Sequence, residues 1–296
     1  MQRRIRPRLP VDLRLTLGPL CRGPGLTARF AADGFWRATR TPEGPATVHL
    51  RPDGGTIEAH AWGRGATWAL EGAPDLVGAA DDDAGFVPRH AVLADAARRL
   101  RGLRIGRTGA VVEVLVPTVL EQKVQGIAAR CSYARLVRLL GEPAPGPVPL
   151  LLPPAPEAVA ALPYHAFHPL GVERRRTETV RLACTHARRL EEATTMTPDD
   201  ARRRLCALPG IGAWTAAEVA LVALGDPDAV SVGDYHLPHH VAWALAGEAR
   251  ADDRRMLELL EPYRGHRGRV IRLLVAGTPG PPRFGPRLPL PTIARI

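Results

Sequence analysis

Apolar positions recur at every second residue through the first quarter of the chain, and at every third or fourth residue beyond it. The period-two stretches predict short strands at residues 11–17, 34–40, 46–50, 56–62 and 66–70, with Val11, Leu13, Leu15 and Leu17 on one face of the first. Turn-forming runs separate them, CRGPG from Cys21, Pro52-Asp53-Gly54-Gly55, and Gly63-Arg64-Gly65. This reads as a small antiparallel unit over residues 8–72, with Trp36, Trp62 and Trp68 in its core or at a seam with the rest. A brief helical turn at 75–78 and loops at 81–83 and 85–89 precede a first long helix at 91–100, after which the period stays helical. The expected fold class is α+β: an N-terminal antiparallel β domain at 1–86, then a mainly helical core at 87–296.

Within the helical part, residues 111–129 predict one helix with Val112, Leu115, Val119 and Val124 at helical spacing. Pro117 should kink or restart it, with Thr118 placed to partner the freed carbonyls. A separate helix is expected at 132–140, then a proline-rich surface connection at 141–156 that cannot be a regular helix. Helices follow at 156–162 and 172–191, the latter strongly basic near its start with Arg174, Arg175, Arg176 and Arg181. The next begins where Thr197 fits the N-cap, Pro198 the first helical position and Asp200 the third. A last helical region starts near Asp252, and the sequence from Pro279 to Ile296 reads as an extended, proline-rich tail.

Composition adds mainly a sign. The formal charge is +10, from 40 Lys and Arg against 30 Asp and Glu, which favours a polyanionic partner. Cys21, Cys131, Cys184 and Cys206 are scattered without a CxxC pair, which argues against zinc and iron–sulfur ligation. The N-terminal MQRRIRPRLPVDLRL lacks the apolar run of a signal peptide, and no apolar run is long enough to span a membrane. The expectation is a cytosolic protein with reduced thiols.

The chemistry concentrates in residues 205–235. Leu208, Pro209, Gly210, Ile211 and Gly212 form a turn between two helices. Two glycines let the turn approach a bulky partner, Ile211 anchors it, and the first amides of the following helix are free to meet a phosphate oxygen. The carbonyls of Cys206, Leu208 and Ile211 could hold a monovalent cation, Na or K, between protein and phosphate. Such a hairpin grips backbone rather than sequence, although the five residues alone also read as a tight helix–helix turn. A lone carboxylate, Asp234, stands 22 residues beyond Gly212, while Asp226 and Asp228 in the GDPD loop read as turn or cap residues. His236, His239 and His240 cluster without a cysteine or carboxylate to complete a metal site, and Tyr235 and Trp243 read as packing residues.

Hairpin and aspartate together resemble the helix-hairpin-helix DNA glycosylase superfamily, and within it the alkylation-repair branch of bacterial 3-methyladenine DNA glycosylase II. The resemblance extends over almost the whole chain and includes residues 119–126, similar to the family's LxQxVS segment; at the N-terminus it is architectural. It implies that Asp234 is the catalytic carboxylate, stabilising oxocarbenium-like charge on the sugar and orienting water. Trp214 falls where lyase-competent branches carry a Schiff-base lysine, implying a monofunctional enzyme, and it matches a base-pocket aromatic suited to cationic alkylpurines. Gln122 would abut the flipped nucleotide, and Lys123 would replace an apolar wedge. Glu218 and His266 would replace pocket aromatics, and Arg264, Arg267 and Arg269 would lie toward phosphate. The implied partner is duplex DNA with damaged bases, bound by a cytoplasmic, nucleoid-associated monomer that needs no cofactor and no membrane. Two alternatives stay open: a glycosylase for oxidised or deaminated bases, and a nonenzymatic hairpin protein that binds lesions.

Overall fold

The computed structural model describes residues 1–282, so most of the expected proline-rich tail lies outside the described residues. Its five strands are β1 (Gln2–Ile5), β2 (Ala28–Ala31), β3 (Gly34–Thr41), β4 (Gly44–Asp53) and β5 (Thr56–Trp62). They form one antiparallel sheet in the order β1-β5-β4-β3-β2. Phe35, Leu50 and Ala59 lie in one cross-strand row, all fully buried, and Trp36, His49 and His60 form the next row on the opposite face. The three clearly alternating segments are the three central strands. The edge strands arise from QRRI and ARFA, whose short composition carries no alternation to betray them.

Two expected strands are helices instead. Residues 13–17 form α1 (Leu13–Leu17) because the Asp12 carboxylate caps it, accepting from Arg14 N and Leu15 N, and Leu13, Thr16 and Leu17 bury one helical face. Residues 66–71 form α2 (Ala66–Glu71), whose Ala66, Ala69 and Leu70 sit at helical spacing against the sheet core, followed by the short α3 (Ala73–Leu76).

The helical part comprises α4 (Ala91–Arg99), α5 (Val111–Leu120), α6 (Gly126–Leu140), α7 (Pro156–Ala161), α8 (Tyr164–Phe167), α9 (Arg174–Thr185) and α10 (Ala187–Glu191). It continues through α11 (Pro198–Cys206), α12 (Ala213–Val219), α13 (Leu237–Ala246), α14 (Asp253–Leu260) and α15 (Arg267–Gly277). Helix α5 is almost wholly buried, and Pro117 lies inside it without ending it. The Thr118 hydroxyl donates to Val114 O at 2.8 Å, one residue from the carbonyl that the proline leaves free. The expected helix over 111–129 breaks at residues 121–125, where Lys123 adopts φ +54°, the one left-handed non-glycine among the described residues. Helix α6 then runs on through the position where a second break was expected. The expected helix over 172–191 divides at His186, between α9 and α10.

Residues 141–155 are not a loose surface connection. Leu150 and Leu152 are buried against Trp36 and Ala38, and Gly146 lies against the Trp62 indole, so the segment straps the outer face of the sheet. The loop at 81–83 is likewise fixed. Arg269 grips Asp81 at 2.7 and 2.9 Å, and Arg104 reaches Asp83 at 2.8 Å. The main helical core surrounds α5, α6, α9, α11 and α12, and a second joins α4 to α13, α14 and α15. Among the described residues no helix is long and apolar enough to cross a membrane.

Candidate active site

Helices α11 and α12 enclose the turn at 208–212. Thr197 caps α11, accepting from Asp200 N at 3.2 Å, and Leu205 and Ile211 are buried in the main helical core. Gly210 adopts φ +88°, and a Cβ built there would fall 2.1 Å from Thr179 Oγ1 on α9. Both the backbone conformation and the close approach therefore require glycine. Gly212 opens α12 with free space around it, so the turn presents backbone outward.

The carboxylate of Asp234 is held at both oxygens. Oδ1 accepts from His236 N and Leu237 N, each at 2.8 Å, at the start of α13; Oδ2 accepts from Trp214 Nε1 at 3.0 Å. Trp214 thus binds the acid with its indole N–H while its ring stands beside it, half-buried.

One helical turn further along α12, Glu218 accepts a short hydrogen bond from Ser231 Oγ. Asp234 N donates to Ser231 O at 3.3 Å, so the loop at 231–234 meets α12 through two rungs, Trp214–Asp234 and Glu218–Ser231. Burial, reinforced by the charges of Glu121 and Asp234, pushes the Glu218 carboxyl above the usual carboxylate range, against the Ser231 bond and the pull of Arg22. Arg22 pairs with Glu121, at the end of α5. From α15, Arg272 donates to Leu15 O at 2.7 Å and also feels the Glu218 charge.

Gln122 belongs to the hairpin more than to the acid. Its amide donates to Gly210 O and to Thr215 Oγ1, both at 2.9 Å. The next residue, Lys123, is the only lysine in the sequence and is exposed in the turn between α5 and α6, and Ile127, in the first turn of α6, is half exposed. The wedge candidate therefore stands beside the hairpin tip.

Several other candidates lie elsewhere. His266 contacts Ala84 O at 3.2 Å and the Phe86 ring, so its imidazole is engaged with the 81–86 loop. Arg269 is buried, with its guanidinium spent on Asp81 and the Asp82 carbonyl, which takes it away from any phosphate. Arg267 makes a forked pair with Asp228, and Arg264 pairs with Glu261 at the surface. Asp228 also accepts from Gly265 N and Arg267 N, and the buried Asp226 from Arg202 at 2.6 Å, so both stitch the GDPD loop into the fold. His239 accepts from Ala251 N, and among the described residues no group of three or more His, Cys, Asp or Glu could hold a metal ion. Tyr235 does not pack inside; it is 80% exposed, edge-on to His236. Of the basic start of α9, Arg176 is buried on Leu120 O and Glu173, Arg181 bonds Ala160 O and Arg174 pairs with Glu178, leaving Arg175 exposed near the hairpin.

Arg22, Glu121, Ser231 and Arg272 are the residues that sequence reasoning missed. Arg22 follows a turn and Ser231 precedes the aspartate by three residues, positions without periodicity. A signal existed for Glu121, which directly precedes Gln122.

No family model matches the chain. The probable bifunctional transcriptional activator/DNA repair enzyme AlkA of Mycobacterium tuberculosis is 34% identical over 139 residues, 46% of this chain and 28% of that protein. The match thus spans under a third of the curated relative's length. The structure of a 3-methyladenine DNA-glycosylase from Archaeoglobus fulgidus superposes with TM-score 0.77 at 18% identity, covering 93% of this chain and 98% of that one. The apo 8-oxoguanine glycosylase/lyase of Clostridium acetobutylicum gives TM-score 0.73 at 11% identity, over 94% and 96% of the two chains. The chain has the fold of the helix-hairpin-helix DNA glycosylase superfamily, an antiparallel sheet domain followed by hairpin-bearing helices. That fold is shared alike by structures named as 3-methyladenine and 8-oxoguanine glycosylases.

Proposed function

We propose that this chain is a monofunctional DNA glycosylase that hydrolyses the N-glycosidic bond of a damaged purine flipped from duplex DNA. The observation that carries this reading is the clamp on Asp234: a carboxylate bonded at both oxygens, half-buried, one loop away from an outward-facing hairpin. As the C1′–N bond breaks, its electron pair leaves with the base and positive charge develops on the sugar. A fixed carboxylate stabilises that charge without reorganising, then accepts a proton from the water that bonds to C1′. The hairpin supplies backbone amides for phosphate, and the exposed Lys123 and Ile127, in the segment that Gln122 ties to the hairpin, are the candidates for insertion into the stack. A monovalent cation at the hairpin would be held by the carbonyls of Cys206, Leu208 and Ile211, of which Leu208 O already accepts from Ile211 N at 3.1 Å.

Trp214 at the start of α12 supports hydrolysis without strand cleavage, because an indole cannot form an imine. The similar structure named for 3-methyladenine supports alkylated purines as the first substrates to try. Glu218 favours a second reading, bases that are oxidised or deaminated. The test presents duplexes carrying methylated purines, hypoxanthine, uracil and oxidised guanine, followed by heat or alkali to reveal abasic sites. Release of at least one base is expected, with Asp234→Asn about 10²–10³-fold slower. Equal release by Asp234→Asn would remove the mechanism, and strand scission before any heat or alkali would remove the monofunctional assignment. Tight lesion binding with no release would instead indicate a nonenzymatic sensor.

A further inference from the structure

We propose that Glu218, backed by Arg22, reads the flipped base, and that the proton on its carboxyl sets the class of lesion accepted: a neutral purine with a ring carbonyl when protonated, a cationic alkylpurine when ionised. This rests on the glycosylase reading and assigns its substrate class.

The geometry begins with α12. Residues four apart share a helix face, so Glu218 and Trp214 look to the same side, and the two rungs to Ser231 and Asp234 fix both against one loop. Of the Glu218 carboxyl oxygens, Oε1 accepts from Ser231, and that bond leaves Oε2 as the second acceptor of the carboxyl. Half-buried beside the acid that would face the sugar, Oε2 is the polar atom left to meet a base edge.

The charges that act on it are those of Arg22 beyond the first helical segment, Glu121 at the end of α5, Asp234 in the loop and Arg272 on α15. Two guanidiniums face two carboxylates, so the set is balanced only while Glu218 is neutral. Its burial acts in the same direction. In that state Oε2–H donates a hydrogen bond to a base carbonyl, with Arg22 a second donor nearby. Once ionised, the same oxygen repels a carbonyl and leaves the site one charge negative, which favours a cation. A site that hydrogen-bonds its substrate rejects the wrong partner through the buried group left unpaired.

The experiment measures single-turnover release of hypoxanthine from a hypoxanthine duplex and of 3-methyladenine from methylated duplex, between about pH 5 and pH 9. Both rates are taken from one preparation, so misfolding cancels in their ratio. In the unaltered protein the hypoxanthine to 3-methyladenine ratio should fall about tenfold as pH rises, since a hydrogen bond to a charged or buried group is worth that much. Glu218→Gln, which keeps a donor and cannot titrate, should flatten the ratio. Dividing one profile by the other removes titrations of the protein common to both substrates, and the Glu218→Gln profile controls for those of the bases themselves. A pH-independent ratio in the unaltered protein, a Glu218→Gln profile that tracks it, or 3-methyladenine release without hypoxanthine release at any pH would overturn the proposal while leaving the glycosylase reading intact. Release of neither base would overturn both.

Discussion

On the proposed function Asp234 has to stand still to act on developing charge, and a tryptophan helps to hold it. The Trp214 N–H fixes Asp234 from one side and the backbone of α13 from the other, so an aromatic expected for the base also positions the acid. Gly210 is a second point where one atom decides the local structure. Gly210→Ala should cost about 1–3 kcal/mol in denaturant unfolding, from a strained positive φ and the contact with Thr179, and should weaken duplex binding. A loss well under that range would show that Thr179 gives way. Glu218 carries a pH dependence whose sign is fixed. Because its folded value is raised, ionising it costs more in the folded chain; its contribution to stability is complete below the ordinary carboxylate range and is lost as pH rises through the folded value. Glu218→Gln should therefore gain thermal stability relative to its parent on the alkaline side, measured as the difference in Tm at two pH values. Equal differences would show that the carboxyl titrates normally.

At the scale of elements, the sequence was most legible where a pattern repeats. The three alternating runs are the central strands, and the Thr197–Pro198–Asp200 signal marks the start of α11. Alternation misled at 11–17 and 66–70, because in so few residues the i and i+4 positions of a helical face also fit a period-two run, and at 13–17 the Asp12 cap decides for helix. The left-handed turn at Lys123 was hidden because nothing in the Glu121-Gln122-Lys123 run forbids helix; the Gln122 bonds to Gly210 and Thr215 impose it from outside. The same limit applies to the site. Asp234 and the hairpin share one stretch of sequence, whereas Arg22 joins Glu121 across a gap of 99 residues. Helix α5 provides another long-range case. The Glu191 carboxylate, from α10, accepts from Val111 N and Val112 N at 2.9 and 2.8 Å and serves as the cap that Ala110 cannot supply. Glu191→Ala should cost about 1–2 kcal/mol in unfolding free energy. No loss would mean that water caps α5 equally well.

For the whole molecule, the charge of +10 overstates what is available to a polyanion. Arg37, Arg104, Arg176 and Arg269 are buried in ion pairs with Glu113, Asp83, Glu173 and Asp81, where they join the sheet, the 81–83 loop and the helices. Arg175 and Lys123 remain exposed near the hairpin. The slope of log affinity against log salt on undamaged duplex should accordingly correspond to about 3–5 phosphate contacts, well below the formal charge. A slope near the full charge would mean that the internal pairs open on DNA. The Gln122 amide has a consequence at this scale. By tying the Lys123 turn to Gly210 and Thr215, it makes the protruding tip and the gripping turn one stiff jaw. On the proposed function, tip and turn would then travel along a duplex together, and each base step would be probed as the backbone is gripped.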